Sequence, residues 1–451
     1  MSSSARVRTV VVGGGLAGLV AAYRLRLAGA SNALYEASSE LGGRVATARG
    51  LFAEGQRIER GADLIGSEHT SLLALVRELG LHLDDLHAVA AAAARPAYHV
   101  GGQAYSAEQL RTDLATLFAC PSESGLDGSS RHARAQDQLS VREWIANFVP
   151  GGESSQLGRL LQIACTVEYG AEVDDLSALS LVYMLGTDPS QAAARVLGES
   201  DDRYRVRGGN DLVVDRLGAG LGDSVTVGHE LVAASSLPDG GVRLTFRADL
   251  RYTDVHAASV VLAVPFSRLR EVDLAGLELA GRTRTAIAEL GMGAHAKLHL
   301  QFRTRRWLDL GCDGTTLADR YQCTWEETAA QPGTSGILVN FRGGKGASTL
   351  VRGLAEEHAR AFLAEIEPVL PGLAEHWNGR AVIDDWTSET PARGSYAYYR
   401  IGQYTQFEAA ESRSEGFVHF VGEHACAEFQ GYMEGAVRSG ERAARRVLED
   451  A

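Results

Sequence analysis

Thr9-Val10-Val11-Val12-Gly13-Gly14-Gly15-Leu16-Ala17-Gly18 decides the fold: an apolar run passes into Gly-x-Gly-x-x-Gly, then into apolar residues at helical spacing as far as Ala28, where Gly29 ends the pattern. A run that is apolar at every position suits a strand buried on both faces of a parallel sheet. Gly13 permits a tight turn, Gly15 lets the backbone approach a pyrophosphate, and Gly18 lets the helix pack closely. An anion then rests on the amides of the helix N-terminus. Alone the hexapeptide also describes a ligand-free turn; its place between strand and helix gives it meaning.

Working outward, Ala33 to Tyr35 supplies a second strand, with Glu36 at its end. A carboxylate there accepts hydrogen bonds from ribose hydroxyls and favours an unphosphorylated ribose. Leu41-Gly42-Gly43-Arg44 adds a second glycine turn and a guanidinium, suited to a second phosphate or the edge of a flavin, or else to a solvated surface turn.

From about Thr70 to Arg203 the pattern becomes amphipathic helices, such as Leu72 to Leu79, Val141 to Phe148 and Leu176 to Leu185, with a polar mobile loop expected over Pro121 to Gln138. Strand patterns return at Ser224 to Val227, Val242 to Phe246, Ser259 to Val264, Ala296 to Phe302 and Ile337 to Phe341. A helix over Leu354 to Leu370 follows, and the strand Val418 to Val421 and the helix Gly435 to Leu448 close the chain. This order predicts an α/β protein whose Rossmann-like dinucleotide domain is assembled from discontinuous segments (1–78, 205–285 and 404–451), beside an α+β substrate-binding domain with a helical insert (79–204 and 286–403).

A chain of 451 residues exceeds one typical domain, and 44 Lys+Arg against 57 Asp+Glu give a net charge of −13, which argues against a nucleic-acid surface. Cys120, Cys165, Cys312, Cys323 and Cys426 are odd in number and widely spaced, so they predict neither a disulfide framework nor a metal site. Without a signal-like start or a long apolar segment, the expectation is a cytoplasmic protein off the membrane, with a homodimer left open.

Several separated motifs together resemble the flavin-containing amine oxidases, the family of monoamine, polyamine and L-amino-acid oxidases. They are Glu36 with Gly42-Gly43-Arg44; Gly61-Ala62 within Glu59 to Gly66; Gly208-Gly209-Asn210; the strand into Val264-Pro265; the Lys297 strand; Trp386 to Tyr396; and Phe420 to His424 followed by Gly431 to Ala436 and Ser439 to Ala444. The resemblance implies FAD, contacted by Gly13, Gly15, Leu16, Ala17, Gly18, Glu36, Ala37, Gly42, Gly43, Arg44, Gly61, Ala62, Asp63, Leu64, Val264, Trp386, Gly422, Gly431 and Ala436. It also implies that Glu423 bonds the ribityl or pyrophosphate region, and that backbone at Met433, leading the last helix, faces the pyrimidine end of the ring, where a helix N-terminus stabilises negative charge. Leu231 falls at the adenine-contacting position, though an ordinary core residue explains it almost as well. In covalent-flavin members a cysteine follows the tryptophan by nine residues; here Ser395 holds that place after Trp386, which implies non-covalent FAD.

Amine oxidation by a flavin needs a neutral amine, an α C–H aimed at N5 and a dry pocket, with few chemical side chains. Lys297 in Gly293-Ala-His-Ala-Lys-Leu-His-Leu300 matches the lysine that holds a water against N5; by pattern alone it also fits an exposed strand face. His295 and His299 flank it at period two without an assigned role. Tyr396 and Tyr432 match the walls of an aromatic cage, or ordinary packing.

Leu64 stands where amino-acid oxidases often carry a carboxylate-gripping arginine and amine-specific members often carry tryptophan, so it matches neither. The cage favours a small-molecule amine without an α-carboxylate, with molecular oxygen as acceptor and peroxide as product. An L-amino-acid oxidase remains open, with Arg95, Arg205 or Arg393 as the fork. So does a third class, a flavin-fold desaturase or non-catalytic flavoprotein, which needs neither Lys297 nor the tyrosines.

Overall fold

A computed structural model describes residues 7–90, 94–119, 124–126, 130–196, 201–387, 392–407 and 409–450. The opening apolar run forms the strand Val7–Val12, parallel to Asn32–Tyr35 on one side and to Arg251–Leu262 on the other. Between the first two strands runs the helix Leu16–Leu27, with Leu19, Val20 and Leu25 fully buried. Val225–Thr226 extends the parallel part beyond Asn32–Tyr35, and Val418–Phe420 adds a parallel partner to Arg251–Leu262. On its far side Arg251–Leu262 turns antiparallel into Val242–Ala248 and Glu230–Ser236, and Asp273–Gly276 closes the edge of this eight-stranded sheet.

A second, seven-stranded sheet runs in the order Trp377–Asp385, His295–Phe302, Gly336–Gly343, Gln322–Glu326, Cys312–Ala318, Arg95–Val100, Gln103–Ala104. Every residue of His295–Phe302 is buried, because that strand is flanked on both edges and covered on both faces. The helix Ala355–Ile366 contributes Phe362, Leu363 and Ile366 to its outer core. The helical insert has its own core around Trp144, Leu160, Leu161 and Leu181. Its entry points are set by side-chain caps: Ser140 and Glu143 form a reciprocal capping box that opens Val141–Phe148.

The predicted helices hold with shifted ends. The second, expected from Leu72, starts at Thr70, and the one expected from Leu176 starts at Ala178 because Ser177 caps it. The loop expected over Pro121 to Gln138 is corrected in part. Residues 121–123 and 127–129 lie outside the described residues, but Ser130–Asp137 is helical. Tertiary bonds to its last residue overrode the polar composition: Asp137 is buried and accepts from the Ser177 hydroxyl at 2.7 Å and from the Thr405 amide at 2.8 Å.

Among the described residues no helix is long and apolar enough to cross a membrane, and no cluster of three His, Cys, Asp or Glu side chains could hold a metal ion. Cys165, Cys312, Cys323 and Cys426 are free thiols, while Cys120 lies outside the described residues.

The closing helix Met433–Glu449 packs on Leu16–Leu27 through Gly440, where a Cβ would stand 2.5 Å from the Ala17 carbonyl oxygen and 3.2 Å from Val20 Cβ. Gly440→Val is therefore expected to push the two helices apart and destabilise the protein by about 1–3 kcal/mol, the usual cost of overpacking. Thermal unfolding of the variant measures the loss.

Candidate functional site

The glycine turn has the geometry a nucleotide demands. Gly13 has φ +104°, and a Cβ there would stand 2.4 Å from the Ala263 carbonyl; a Cβ on Gly18 would stand 2.0 Å from the Gly13 carbonyl. Gly15 differs: a Cβ there meets nothing within 4 Å, and no side chain caps the first turn of Leu16–Leu27. The amides of Leu16, Ala17 and Gly18 thus border open space of the kind an anion fills. At the rim Glu36 accepts from Gly14 N–H at 2.5 Å and, across Ala37, from Ser38 N–H at 2.8 Å. Gly42 bridges to Gly15 and donates to the Gly14 carbonyl at 2.9 Å, bringing Gly43 and Arg44 to the same edge. Leu231 is buried in a core shared with Val10 and Val12, and Val264 packs against it.

Four separated segments meet at one carboxylate. Glu423, 5 % exposed, accepts from Arg44 Nη1 at 2.8 Å, from Gly431 N–H at 3.0 Å and from Ala397 N–H at 3.3 Å. The resemblance assigned Glu423 to the ribityl or pyrophosphate region; in the structure its oxygens bond these protein donors. Arg44 also donates to the Ser395 carbonyl. Gly61 lies beneath, where a Cβ would stand 2.1 Å from the Arg44 carbonyl and 2.8 Å from Trp386 Cζ2, and Ala62 N–H donates to that carbonyl at 3.0 Å. Gly422 is held by Ser439 Oγ at 3.0 Å, so Tyr432, Met433 and Ala436 begin the closing helix next to the clasp.

Lys297 is 3 % exposed, which excludes the exposed-face reading. Its ammonium donates to the Glu59 carbonyl at 2.9 Å and to Asp63 Oδ2 at 3.1 Å, and lies 5.3 Å from the centre of the Trp325 ring. Asp63 also accepts from Arg205 Nε at 2.6 Å and from Trp325 Nε1 at 3.1 Å. Burial alone would raise the Asp63 pKa, but the positive charges of Arg205 and Lys297 hold this carboxyl well below the usual range. Asp63 was expected among the cofactor contacts; its side chain is committed to Lys297, Arg205 and Trp325, while its neighbour Leu64 is half-buried.

Two residues before Lys297, His295 bonds Ser395 Oγ at 2.6 Å and the Val167 carbonyl at 2.8 Å, and Tyr396 OH lies 3.2 Å from its Nε2. The Tyr396 ring also packs against Gly431, the neighbour of Tyr432, so lysine and both tyrosines share one region. Tyr432 is 39 % exposed and donates its hydroxyl to Glu168 at 2.8 Å. Burial pushes the Glu168 carboxyl up. Sequence reasoning missed Glu168, Trp325 and Glu327, and gave His295 no role; no motif marks them, since each is defined only by a partner far along the chain. Of the guanidinium forks considered, Arg205 is bound to Asp63 and the Glu327 carbonyl, and Arg393 is paired with Glu271.

A turn open for an anion, a clasp joining the first and last segments, and a buried lysine two residues from the histidine that Tyr396 touches are what a flavoenzyme of the amine-oxidising class would need. The chain belongs to the flavin-containing amine oxidoreductase family, whose model matches residues 16–448. It is 24 % identical to amine oxidase [flavin-containing] B of Sus scrofa over 99 % of this chain and 86 % of that protein, and 23 % identical to the Homo sapiens counterpart over 97 % and 85 %. Among solved structures, putrescine oxidase bound to putrescine superposes with a TM-score of 0.82 at 24 % identity, covering 99 % of each chain. Cyclohexylamine oxidase from Brevibacterium oxydans gives 0.84 at 24 % identity, again covering 99 % of each. These likenesses place the fold.

Two outcomes follow. Glu423→Ala leaves Arg44 and two amides without their acceptor and is expected to cost about 3 kcal/mol, the low end for breaking a buried pair because Arg44 reaches solvent; denaturant unfolding measures it. His295 and His424 are both pushed by burial from 6.5 down to about 4. Between those values the unfolded chain binds protons that the native one refuses, so their share of stability is lost as pH falls from 6.5 through 4. The thermal midpoint is expected to fall across that window, and less steeply in His295→Gln.

Proposed function

We propose that this chain is an FAD-dependent oxidase of primary or secondary amines, working in the cytoplasm with FAD held non-covalently. Its cofactor domain comprises 1–78, 205–285 and 404–451, and its substrate domain 79–204 and 286–403. The observation that carries the reading is the buried Lys297 ammonium sharing a region with Tyr396 and the partly open Tyr432.

Gly13, Gly15, Gly18, Glu36, Gly42, Gly43 and Arg44 would hold the nucleotide, and Gly61, Ala62, Trp386, Gly422 and Met433 the ring. Bound FAD supplies a hydride acceptor at N5 for the amine α carbon, and oxygen then takes the electrons to give hydrogen peroxide. Tyr396 and Tyr432 present π-faces that orient the amine and screen it from water. Lys297, fixed by Asp63, presents its ammonium to the reacting end. The imine product hydrolyses to an aldehyde or ketone.

Ser395 supports the non-covalent mode: its hydroxyl is engaged by His295, and it stands where covalent members carry cysteine. The neighbourhood of Tyr432 favours an amine over an amino acid, because an α-carboxylate there would meet Glu168, while Arg205 and Arg393 are already engaged. The odd, scattered cysteines support a reducing compartment.

A peroxide-coupled assay over amines and L-amino acids is expected to respond to amines alone; peroxide from amino acids alone, or from neither, rejects the reading. Acid precipitation is expected to release all of the yellow cofactor into the supernatant. Lys297→Met is expected to retain FAD but slow single-turnover flavin reduction or re-oxidation by about 10²-fold, the lower bound for a placed proton-transfer group.

A further inference from the structure

Behind Lys297 lies a cavity that the amine chemistry leaves unused. Its volume is about 20 Å³; buried Glu59, Arg205 and Glu327 form its floor, and half-buried Arg57, Asp84 and Gln331 form its outer side. That is room for one water molecule. Arg205 Nη2 and Glu327 Oε2 stand 3.7 Å apart, both buried and both without a hydrogen-bond partner. The separation is too long for a direct bond, and a water between them satisfies both atoms.

On its inner side Glu327 Oε1 accepts from Glu59 N–H at 2.8 Å, and Glu327 shares the Arg205 guanidinium with Asp63, which accepts from Arg205 Nε at 2.6 Å. Asp63 in turn holds the Lys297 ammonium at 3.1 Å. Glu327 is thus one side chain from Lys297 and one water from the cavity. The charged or titratable groups that face it are Asp63, Arg205, Lys297 and His299, with Glu59 alongside. Burial, and then the negative charge of Asp63, raise the Glu327 pKa, so the carboxyl keeps a proton that a surface glutamate has lost.

We propose that Glu327 and the water-sized cavity behind it are a proton port, in which a proton enters past Arg57 and Asp84, is held on Glu327 and passes through Asp63 to Lys297. The proposal rests on Lys297 facing the reacting amine. When Lys297 gives a proton to the active site, the Glu327 O–H bond breaks as the Asp63 carboxylate accepts that proton, the Asp63 O–H bond then breaks as the Lys297 N–H bond re-forms, and the cavity water restores the proton on Glu327. Asp63 ends unchanged and no electrons move. Forming hydrogen peroxide from oxygen consumes protons inside a closed site, and the port would supply them without opening the substrate side.

Infrared spectroscopy tests the port on the protein with and without FAD. Wild type is expected to show protonated-carboxyl absorption at neutral pH that shifts promptly in D2O, and Glu327→Gln to remove the Glu327 component while leaving that of Glu59, which burial also raises, and keeping the bond from Glu59 N–H. Ala330 lines the cavity, so Ala330→Leu is expected to keep the band but slow its isotope exchange. In the FAD-loaded enzyme Glu327→Gln is expected to slow re-oxidation by about tenfold or more, within reach of a lost proton-transfer group, and to remove one ionisation from its pH profile. Absorption that is absent, that is undiminished in Glu327→Gln, or whose Glu327 component exchanges equally fast in Ala330→Leu overturns the proposal; so does an unaltered re-oxidation profile. If wild type oxidises no amine, the reading of the reaction fails by itself, and the infrared measurements still decide whether the port exists.

Discussion

One carboxylate determines whether there is a site at all. Glu423 receives Arg44 from the second glycine turn, Ala397 from the stretch after Ser395, and Gly431 from the approach to the closing helix. Each donor lies on a segment whose own secondary structure is complete without the others. A buried carboxylate is tolerated only when donors compensate its lost hydration, so the fold reaches low free energy only with these segments together. The tyrosines, the Lys297 strand and the nucleotide turn take their relative places from that meeting.

The interior beside the clasp is unusually ionic. Asp63, Arg205, Lys297, Glu327 and Glu59 are all buried. An apolar cluster of the same volume would be at least as stabilising, since burying charge is costly even when paired. What the ionic version provides is a fixed position for the Lys297 ammonium, held by Asp63 and the Glu59 carbonyl. Glu59 shows the strength of this environment: burial and neighbouring Asp63 push it up to about 8.

Legibility followed sequence distance. The strand, turn and helix from Val7 to Leu27 were readable because three glycines within six residues and an unbroken apolar run are local constraints with one physical solution. The Lys297 strand was readable as a strand from its apolar run, but the pattern alone fitted an exposed lysine equally well, and only the resemblance pointed inward. The partner itself was not legible: Asp63 lies 234 positions away, and nothing near it in sequence announces a cation. Glu168 sits on the amphipathic helix Gln156–Tyr169, where a glutamate reads as solvated surface until Tyr432, 264 positions on, is placed against it. The resemblance supplied motif positions across the chain, but not which of them pair, as Lys297 does with Asp63 and Arg44 with Glu423. Asp137 shows the reverse failure, where three tertiary acceptor bonds turned a loop-like composition into helix.

The contact at Gly440, where the closing helix touches the Ala17 carbonyl, also bears on biosynthesis. The glycine turn and the helix 433–449 that braces it lie far apart along the chain. A nascent chain therefore exposes the turn unbraced until that helix has left the ribosome. Truncation upstream of the helix yields a polypeptide that lacks this brace.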